Sequence, residues 1–224
     1  MNYTINQLSA DHAAGVMPTD QEWENANILK IDQFQKESSD SRPEVICKVL
    51  YDKHGLYLRY SLKDRWVKCV ETTYQNSVCK DSCVEFFVEP TGGKGYLNFE
   101  FNACGVMLVY HVVDHSRSET GGFSKYYALD DNANEIVKRY PTLKPEEVKE
   151  EITEPCDWEL GVYIPFELMQ KEFGTDGIPA KGTVWRANFY TCADATSHPR
   201  WATWNPINYL NYHLPECFGE IIFG

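Results

Sequence analysis

Hydrophobic and polar residues alternate along several short stretches of the chain, as they do in β-strands. In Asp81–Pro90, which reads DSCVEFFVEP, Val84, Phe86 and Val88 fall on one side. The other side carries Cys83, Glu85, Phe87 and Glu89. An apolar face opposite a face with carboxylates among bulky groups predicts a sandwich strand with a functional outer surface.

Two further stretches repeat this division. In Tyr96–Ala103 the polar face carries Tyr96, Asn98, Glu100 and Asn102, opposite Leu97, Phe99, Phe101 and Ala103. In Trp185–Cys192, the residues Arg186, Asn188 and Tyr190 share a face. We expect the polar faces of these strands to lie together on one sheet, where they form either a binding floor or a plain solvated surface.

The remaining elements complete a β-rich pattern. Val45–Tyr51 and Leu56–Leu62 predict a hairpin, 157–164 predicts a strand, and Pro165 opens a short helix. Residues 114–155 are ambiguous between a short helix and an excursion loop. About eight to ten strands with one or two short helices predict an all-β fold, an antiparallel β-sandwich of the jelly-roll type.

The composition limits the classes of molecule that the protein is expected to bind. The 224 residues contain no Gly/Ser linker, so we expect one domain over residues 1–224. The net charge of −12 argues against nucleic acid and anionic membranes as partners, because both attract basic surfaces. Neutral polysaccharides and cations remain compatible, and the acidic surplus also serves solubility. Aromatic residues make up 14% of the chain, which favours strands and interfaces.

Neither a membrane-spanning run nor a signal peptide is visible in the sequence. We therefore expect a cytoplasmic protein if this is the native N-terminus, and an extracellular or periplasmic one if a signal peptide has been removed. The eight cysteines are scattered without a CxxC pair, so free thiols are favoured over disulfides or a metal site.

Several motifs resemble a known family in their order along the chain. These are DSCVEFFVEP, YLNFEFNACG, DWELGVYIPF, RANFYTCAD and a terminal WNPI…PECFGEIIF. Family 9 carbohydrate-binding modules and their DOMON-like relatives show the same order, and the resemblance spans roughly residues 20–223. It implies a sandwich that binds oligosaccharides or polysaccharides of plant type, such as xylan or cellulose, alongside glycoside hydrolases and without cleaving them.

The resemblance also implies a site in which two aromatic rings sandwich a sugar over polar strands. It places polar ligands at Glu85, Glu100, Asn102, Asn188 and Tyr190, and one aromatic ring near Tyr212. The alternating pattern adds Asn98 and Arg186 to these polar ligands. Trp66 and Trp204 are further candidates for the aromatic rings that flank the sugar. The chain departs from the family pattern at two positions. Cys79 stands where the family has the first sandwiching Trp, and Glu100 stands where the family has a basic residue.

Other interpretations stay open. Arg186 could be an ion-pair partner of a neighbouring carboxylate. A glycoside hydrolase would use Glu85 and Glu100 as its carboxylate pair, about 5–10 Å apart. The resemblance also leaves open a structural calcium ion, for which 130–132 offers oxygen atoms without EF-hand spacing. Haem ligation by Met107 with His111 or His115 is less favoured, since Met107 fits a strand core.

Overall fold

The computed structural model describes residues 1–9, 12–119 and 121–224. Within these ranges the chain forms fourteen strands: β1 Asn2–Gln7, β2 Leu29–Lys30, β3 Gln33–Phe34, β4 Glu44–Tyr51, β5 Gly55–Asp64, β6 Cys83–Glu89, β7 Tyr96–Asn102, β8 Met107–Arg117, β9 Phe123–Ala128, β10 Lys138–Pro141, β11 Cys156–Pro165, β12 Val184–Cys192, β13 Trp201–Thr203 and β14 Gly219–Phe223. The helices are α1 Asp20–Trp23, α2 Asp131–Ile136, α3 Pro145–Val148 and α4 Phe166–Phe173, and 3₁₀ turns lie at Val78–Lys80 and Pro215–Cys217.

The strands form two layers. The front sheet has the order β14-β12-β6-β7-β8-β9, with β13 beside β12 and β3 beside β13. The back sheet has the order β10-β11-β5-β4, with β2 beside β4. Strand β1 joins the layers, since Asn2–Ile5 pair with β14 and Asn6–Gln7 pair with β4. These two pairings are parallel and the other strand pairings are antiparallel, so the predicted β-sandwich is confirmed with one parallel connection.

The predicted alternation places the core between the two sheets. The apolar face of β6, with Val84 and Phe86, packs in one cluster with Trp158 of the back sheet. Trp23 and Trp185 are also buried, at 3% and 4% exposure. The predicted hairpin is present as β4 and β5, which pair from Glu44–Lys63 to Tyr51–Leu56. Burial of the apolar faces of both sheets is therefore what joins the layers.

The outer face of the front sheet is also buried. Residues 205–218, which we call the covering segment, fold back across it. Tyr212 and Phe218 of this segment pack with Phe87, Tyr96 and Tyr190 of the sheet in a second cluster. The interpretation of these polar strands as a plain solvated surface is therefore wrong, because aromatic residues on the same face bind the covering segment.

The segment that the sequence left ambiguous, 114–155, contains β9, α2, β10 and α3. The chain has more short helices than the expected one or two because local capping starts them. Thr19 and Glu22 form a capping box at α1, Asp130 caps α2, and Pro145 begins α3. None of the described helices is long and apolar enough to cross a membrane.

Candidate functional site

A pocket of about 210 Å³ opens beside the covering segment, above the ends of β6, β7 and β12. Its floor comes from the front sheet and its walls come from the covering segment and the residues around β13. The lining residues are Cys79, Glu85, Glu100, Cys192, Asp194, Trp201, Leu210, Asn211, Tyr212 and His213. The pocket therefore combines three carboxyl groups with aromatic side chains.

Two carboxyl groups form the floor. Glu85 on β6 and Glu100 on β7 lie directly opposite each other in the strand register, and their exposure is 2% and 7%. One oxygen of each is held by the protein: Cys192 Sγ donates to Glu85 Oε1 at 3.2 Å, and Asn98 Nδ2 donates to Glu100 Oε1 at 2.8 Å. Glu85 Oε2 is buried and has no hydrogen-bond partner among the described residues.

Burial makes these carboxyls unusually weak acids. It raises the pKa of Glu85 well above its usual value, and the nearby charge of Glu100 adds to the rise. Burial raises the pKa of Glu100 to about 7, although the hydrogen bond from Asn98 opposes this. Because the two side chains face each other, ionisation of one disfavours ionisation of the other.

Two aromatic residues form one wall. Trp201 on β13 lies opposite Cys192 in the register and donates its Nε1 hydrogen to Asp194 Oδ1 at 2.7 Å. Its ring is only partly buried, so it is available to a ligand. Tyr212 is 8% exposed, although its loop position suggested more, and it lies on the ring of Tyr190 beneath it.

His213 closes another side of the pocket as a neutral group. Burial, together with charge repulsion from Arg117 and His115, lowers its pKa to about 3. Its Nδ1 lies 2.8 Å from the hydroxyl of Tyr96, so the ring is held by a neutral hydrogen bond. At neutral pH the imidazole therefore adds no positive charge to the pocket.

Thiols occupy the remaining side. Cys79 lies in the pocket wall, where the resemblance leads one to expect a Trp, and burial raises its pKa. The ligand atoms of Cys83, Glu85 and Cys192 all lie within 4.8 Å of one another, and this is the group within the described residues that could hold a metal ion. Two sulfurs and one oxygen are a donor set that suits Zn²⁺ better than Ca²⁺.

Of the residues predicted for the site, Glu85, Glu100 and Tyr212 meet at the pocket. Asn98 and Tyr190 lie directly below it: Asn98 also accepts from Tyr110 N at 3.0 Å, and Tyr190 donates to the carbonyl of Tyr212 at 2.9 Å. These two residues hold the lining side chains in place.

Two predicted asparagines fix turns instead of lining the pocket. Asn102 donates to Asp81 Oδ2 at 2.8 Å and accepts from Val106 N at 3.0 Å. Asn188 exchanges hydrogen bonds of 2.9 and 3.0 Å with the backbone of Asn205. Both are fully buried. Their amides thus satisfy backbone groups at the ends of the covering segment and of β7.

Three further predicted residues lie away from the pocket. Arg186 donates to Glu89 Oε2 at 2.9 Å, which matches its alternative interpretation as an ion-pair partner. Trp66 stacks on His198 with ring centroids 3.6 Å apart. Trp204 is 6% exposed and belongs to the core between the sheets. Their predicted roles as sugar ligands have no support in this geometry.

The sequence did not single out Cys192, Asp194, Trp201 or His213 as site residues. Alternation could have found Cys192, because it shares a face with Tyr190. Asp194 and His213 come from irregular segments, and Trp201 lies on the three-residue strand β13, whose pairing with β12 brings it to the pocket. Aromatic content alone does not reveal that pairing.

The residues considered as calcium or haem ligands make other contacts in the structure. Asp130 caps α2 through Ala133 N, and its Oδ2 accepts from Lys171 at 3.1 Å. Met107 is buried in the core. His111 lies 3.1 Å from Glu172 and 2.8 Å from the carbonyl of Lys94. Within the described residues, no group of three Asp or Glu side chains comes together as calcium ligands would.

Comparison with known proteins agrees with this architecture. The family model for carbohydrate-binding family 9 matches residues 16–223. A candidate carbohydrate-binding protein from Bacteroides uniformis is 25% identical, with a TM-score of 0.79, and the match covers 100% of this chain and 99% of that one. No curated protein matches the chain.

Two solved structures of a family 9 module from Caldicellulosiruptor kristjanssonii share the fold at 13% identity. The glucose complex has a TM-score of 0.63 and the match covers 96% of that chain. The cellotriose complex has a TM-score of 0.64 and the match covers 93% of that chain. Both matches cover 100% of this chain.

Proposed function

Because the chain belongs to carbohydrate-binding family 9, a non-catalytic family, we propose that its pocket holds one sugar residue of a β-linked oligosaccharide of the cellulose or xylan type. The chain is a binding module and not a glycoside hydrolase, so the facing carboxyls serve recognition. Association with glycoside hydrolases and the cellular location stay predictions.

The unpartnered oxygen of Glu85 is the observation that carries this proposal. A buried polar atom without a hydrogen bond costs about 1–3 kcal/mol, so a ligand group that bonds to it gains that amount. Sugar hydroxyls are both donors and acceptors, and neighbouring hydroxyls can engage Glu85 and Glu100 together. Protonated carboxyls can return a hydrogen bond to a sugar oxygen.

The shape of the pocket supports a single sugar residue. Its volume of about 210 Å³ is below the range of about 300–1,000 Å³ usual for larger ligands. The partly exposed ring of Trp201 offers an apolar face for the C–H groups of a sugar ring, while the carboxyls face its hydroxyls. The remainder of a chain would then extend into solvent.

The solved relatives favour glucose-based ligands as first candidates. The module from Caldicellulosiruptor kristjanssonii was solved with glucose and with cellotriose, although it shares only the fold with this chain. We therefore choose cellotriose and xylotriose as probes. Each presents a chain end that fits a pocket for one residue.

Calorimetric titration with these trisaccharides tests the proposal. We expect saturable heat with at least one of them and a change in tryptophan fluorescence, because Trp201 lies in the pocket. Glu85→Leu should weaken binding at least about tenfold, since it removes both carboxyl oxygens from the floor and keeps the size of the side chain. No new reducing ends should form.

Glu24→Gln is the matched control, because Glu24 is exposed at the end of α1 on the back-sheet side. Its affinity should equal that of the parent protein. Absence of heat with every oligosaccharide, or equal binding by folded Glu85→Leu protein, would contradict a sugar site at this pocket.

A further inference from the structure

Acidic side chains line the pocket without a basic side chain among them. Glu85, Glu100 and Asp194 line it, and none of its lining residues is Lys or Arg. His213 is neutral and so supplies no counter-charge. Three acidic side chains thus converge in the pocket with no cationic side chain among its lining residues.

The orientation of the floor carboxyls adds an independent observation. Their other oxygens are bound to Cys192 and Asn98, so neither side chain is free to turn away. Glu85 Oε2 is left buried and without a partner beside the pocket. One carboxyl oxygen is thus left without a hydrogen bond on a residue that lines the pocket.

An ammonium group matches this arrangement better than a hydroxyl. It has three donors and a compact charge, so it can bond to both floor carboxyls at once, and its charge favours the ionised form that burial disfavours. Hydrogen bonds between charged groups are roughly twice as strong as neutral ones. In a buried pocket their electrostatic attraction is also less screened than in water. A cation would additionally relieve the repulsion between Glu85 and Glu100.

We propose that the pocket selects a sugar that carries a primary ammonium group over its neutral counterpart. This inference rests on the proposed function, since it assigns a ligand class to the same pocket. The class includes β-1,4-linked glucosamine chains, which differ from cellulose chains in having an amine where each glucose has its 2-hydroxyl. An acetylated amine lacks the charge and falls outside the class.

Three trisaccharides with the same linkage test the selection: the trimer of glucosamine, cellotriose and the trimer of N-acetylglucosamine. Calorimetry on the parent protein, in buffer with a metal chelator at about pH 7, gives the affinity for each. We expect the glucosamine trimer to bind at least about tenfold more tightly than either neutral trimer, which corresponds to about 1.4 kcal/mol.

Two variants locate the effect. Glu100→Gln removes one carboxyl and keeps its size, so the preference for the amine should fall to less than about threefold. Glu24→Gln removes one charge from the exposed surface far from the pocket, and it should leave the preference unchanged. Circular dichroism checks that both variants are folded.

The outcomes separate the two proposals. Equal or tighter binding of cellotriose would overturn the amine selection and leave the sugar site intact. An amine preference that persists in Glu100→Gln and Glu85→Gln would also overturn it, because the attraction would then come from the overall charge of −12. Failure of all three trimers, and of xylotriose, to bind would overturn the proposed function itself.

Discussion

Tyr190 and Tyr212 stack face to face, with ring centroids 4.2 Å apart and 17° between their planes. Their hydroxyls also link the two segments: Tyr190 donates to the carbonyl of Tyr212 at 2.9 Å, and Tyr212 donates to the carbonyl of Thr191 at 2.8 Å. This pair attaches the covering segment to β12 directly beside the pocket. The pocket wall is therefore held to the sheet beneath it by both stacking and hydrogen bonds.

Tyr212→Phe should lower the free energy of unfolding by about 1 kcal/mol, because it removes the hydroxyl donor and keeps the stacked ring. Tyr212→Ala should cost about 3–5 kcal/mol, since it also leaves a cavity. Urea unfolding measures both. Tyr209→Phe is the control, as Tyr209 is 58% exposed and its change should have little effect. Equal stability of all three variants would contradict this role for Tyr212.

Glu100 should make the protein less stable as the pH rises. Its pKa is raised from 4.5 to about 7 in the folded state, so folding favours the protonated form. The stabilisation is complete below about pH 4.5 and is lost as the pH rises through about 7, in total on the order of 2–4 kcal/mol. Urea unfolding between about pH 4 and 8 should show this fall, and Glu100→Gln should show less of it.

Glu24→Gln again serves as the matched control for this pH dependence, because its carboxyl is exposed. Its stability should follow the parent protein at every pH. If Glu100→Gln shows the same pH dependence as the parent protein, the floor carboxyl does not take up a proton on folding.

Arg200 should be critical for stability. It is fully buried and donates to Asp64 Oδ2 at 2.5 Å, and Asp64 also accepts from Trp158 Nε1 at 3.0 Å. Arg200→Met leaves a buried carboxylate without its cation and should cost about 3–5 kcal/mol. Adding Asp64→Asn should recover part of this loss, because the amide oxygen still accepts from Trp158.

Denaturant unfolding of the single and double variants checks the coupling of this pair. Arg42→Met, at an exposed arginine, should be nearly neutral by comparison. A double variant that is no more stable than Arg200→Met alone would contradict the buried-charge explanation.

Cys104 should be the most reactive thiol. It is partly exposed, and a hydrogen bond from Cys69 lowers its pKa, whereas burial raises the pKa of the partly exposed Cys79 and Cys156. Iodoacetamide at about pH 7.5, followed by peptide mass spectrometry, should label Cys104 at least about tenfold faster than these two. Cys69→Ala should slow the reaction. Faster labelling of Cys79 would contradict the prediction.

Alternation along the strands predicted the sandwich and the meeting of Glu85 with Glu100, because side-chain direction in a strand follows from position alone. It could not show how each polar side chain is used. Asn102 and Asn188 share the polar face, yet their amides hold backbone groups of turns that have no periodic signal.

The walls of the pocket were harder to predict for a different reason. Asp194 and His213 come from irregular segments and Trp201 from the three-residue strand β13, and the position of all three depends on long-range packing. Tyr212 was expected to be exposed, and it is buried because Tyr190 offers a flat ring beneath it. Such contacts form only when both segments are in place, so no local pattern shows them.

Strand β1 runs parallel to β14, and Met1 and Gly224 therefore leave this pair at opposite ends. A pull on the two chain ends would load the bonds between these strands in shear, so that several hydrogen bonds must break together rather than one after another. A module attached to a polymer on one side and to another body on the other experiences such tension. We expect the fold to resist mechanical extension better than an antiparallel terminal pair, which would unzip.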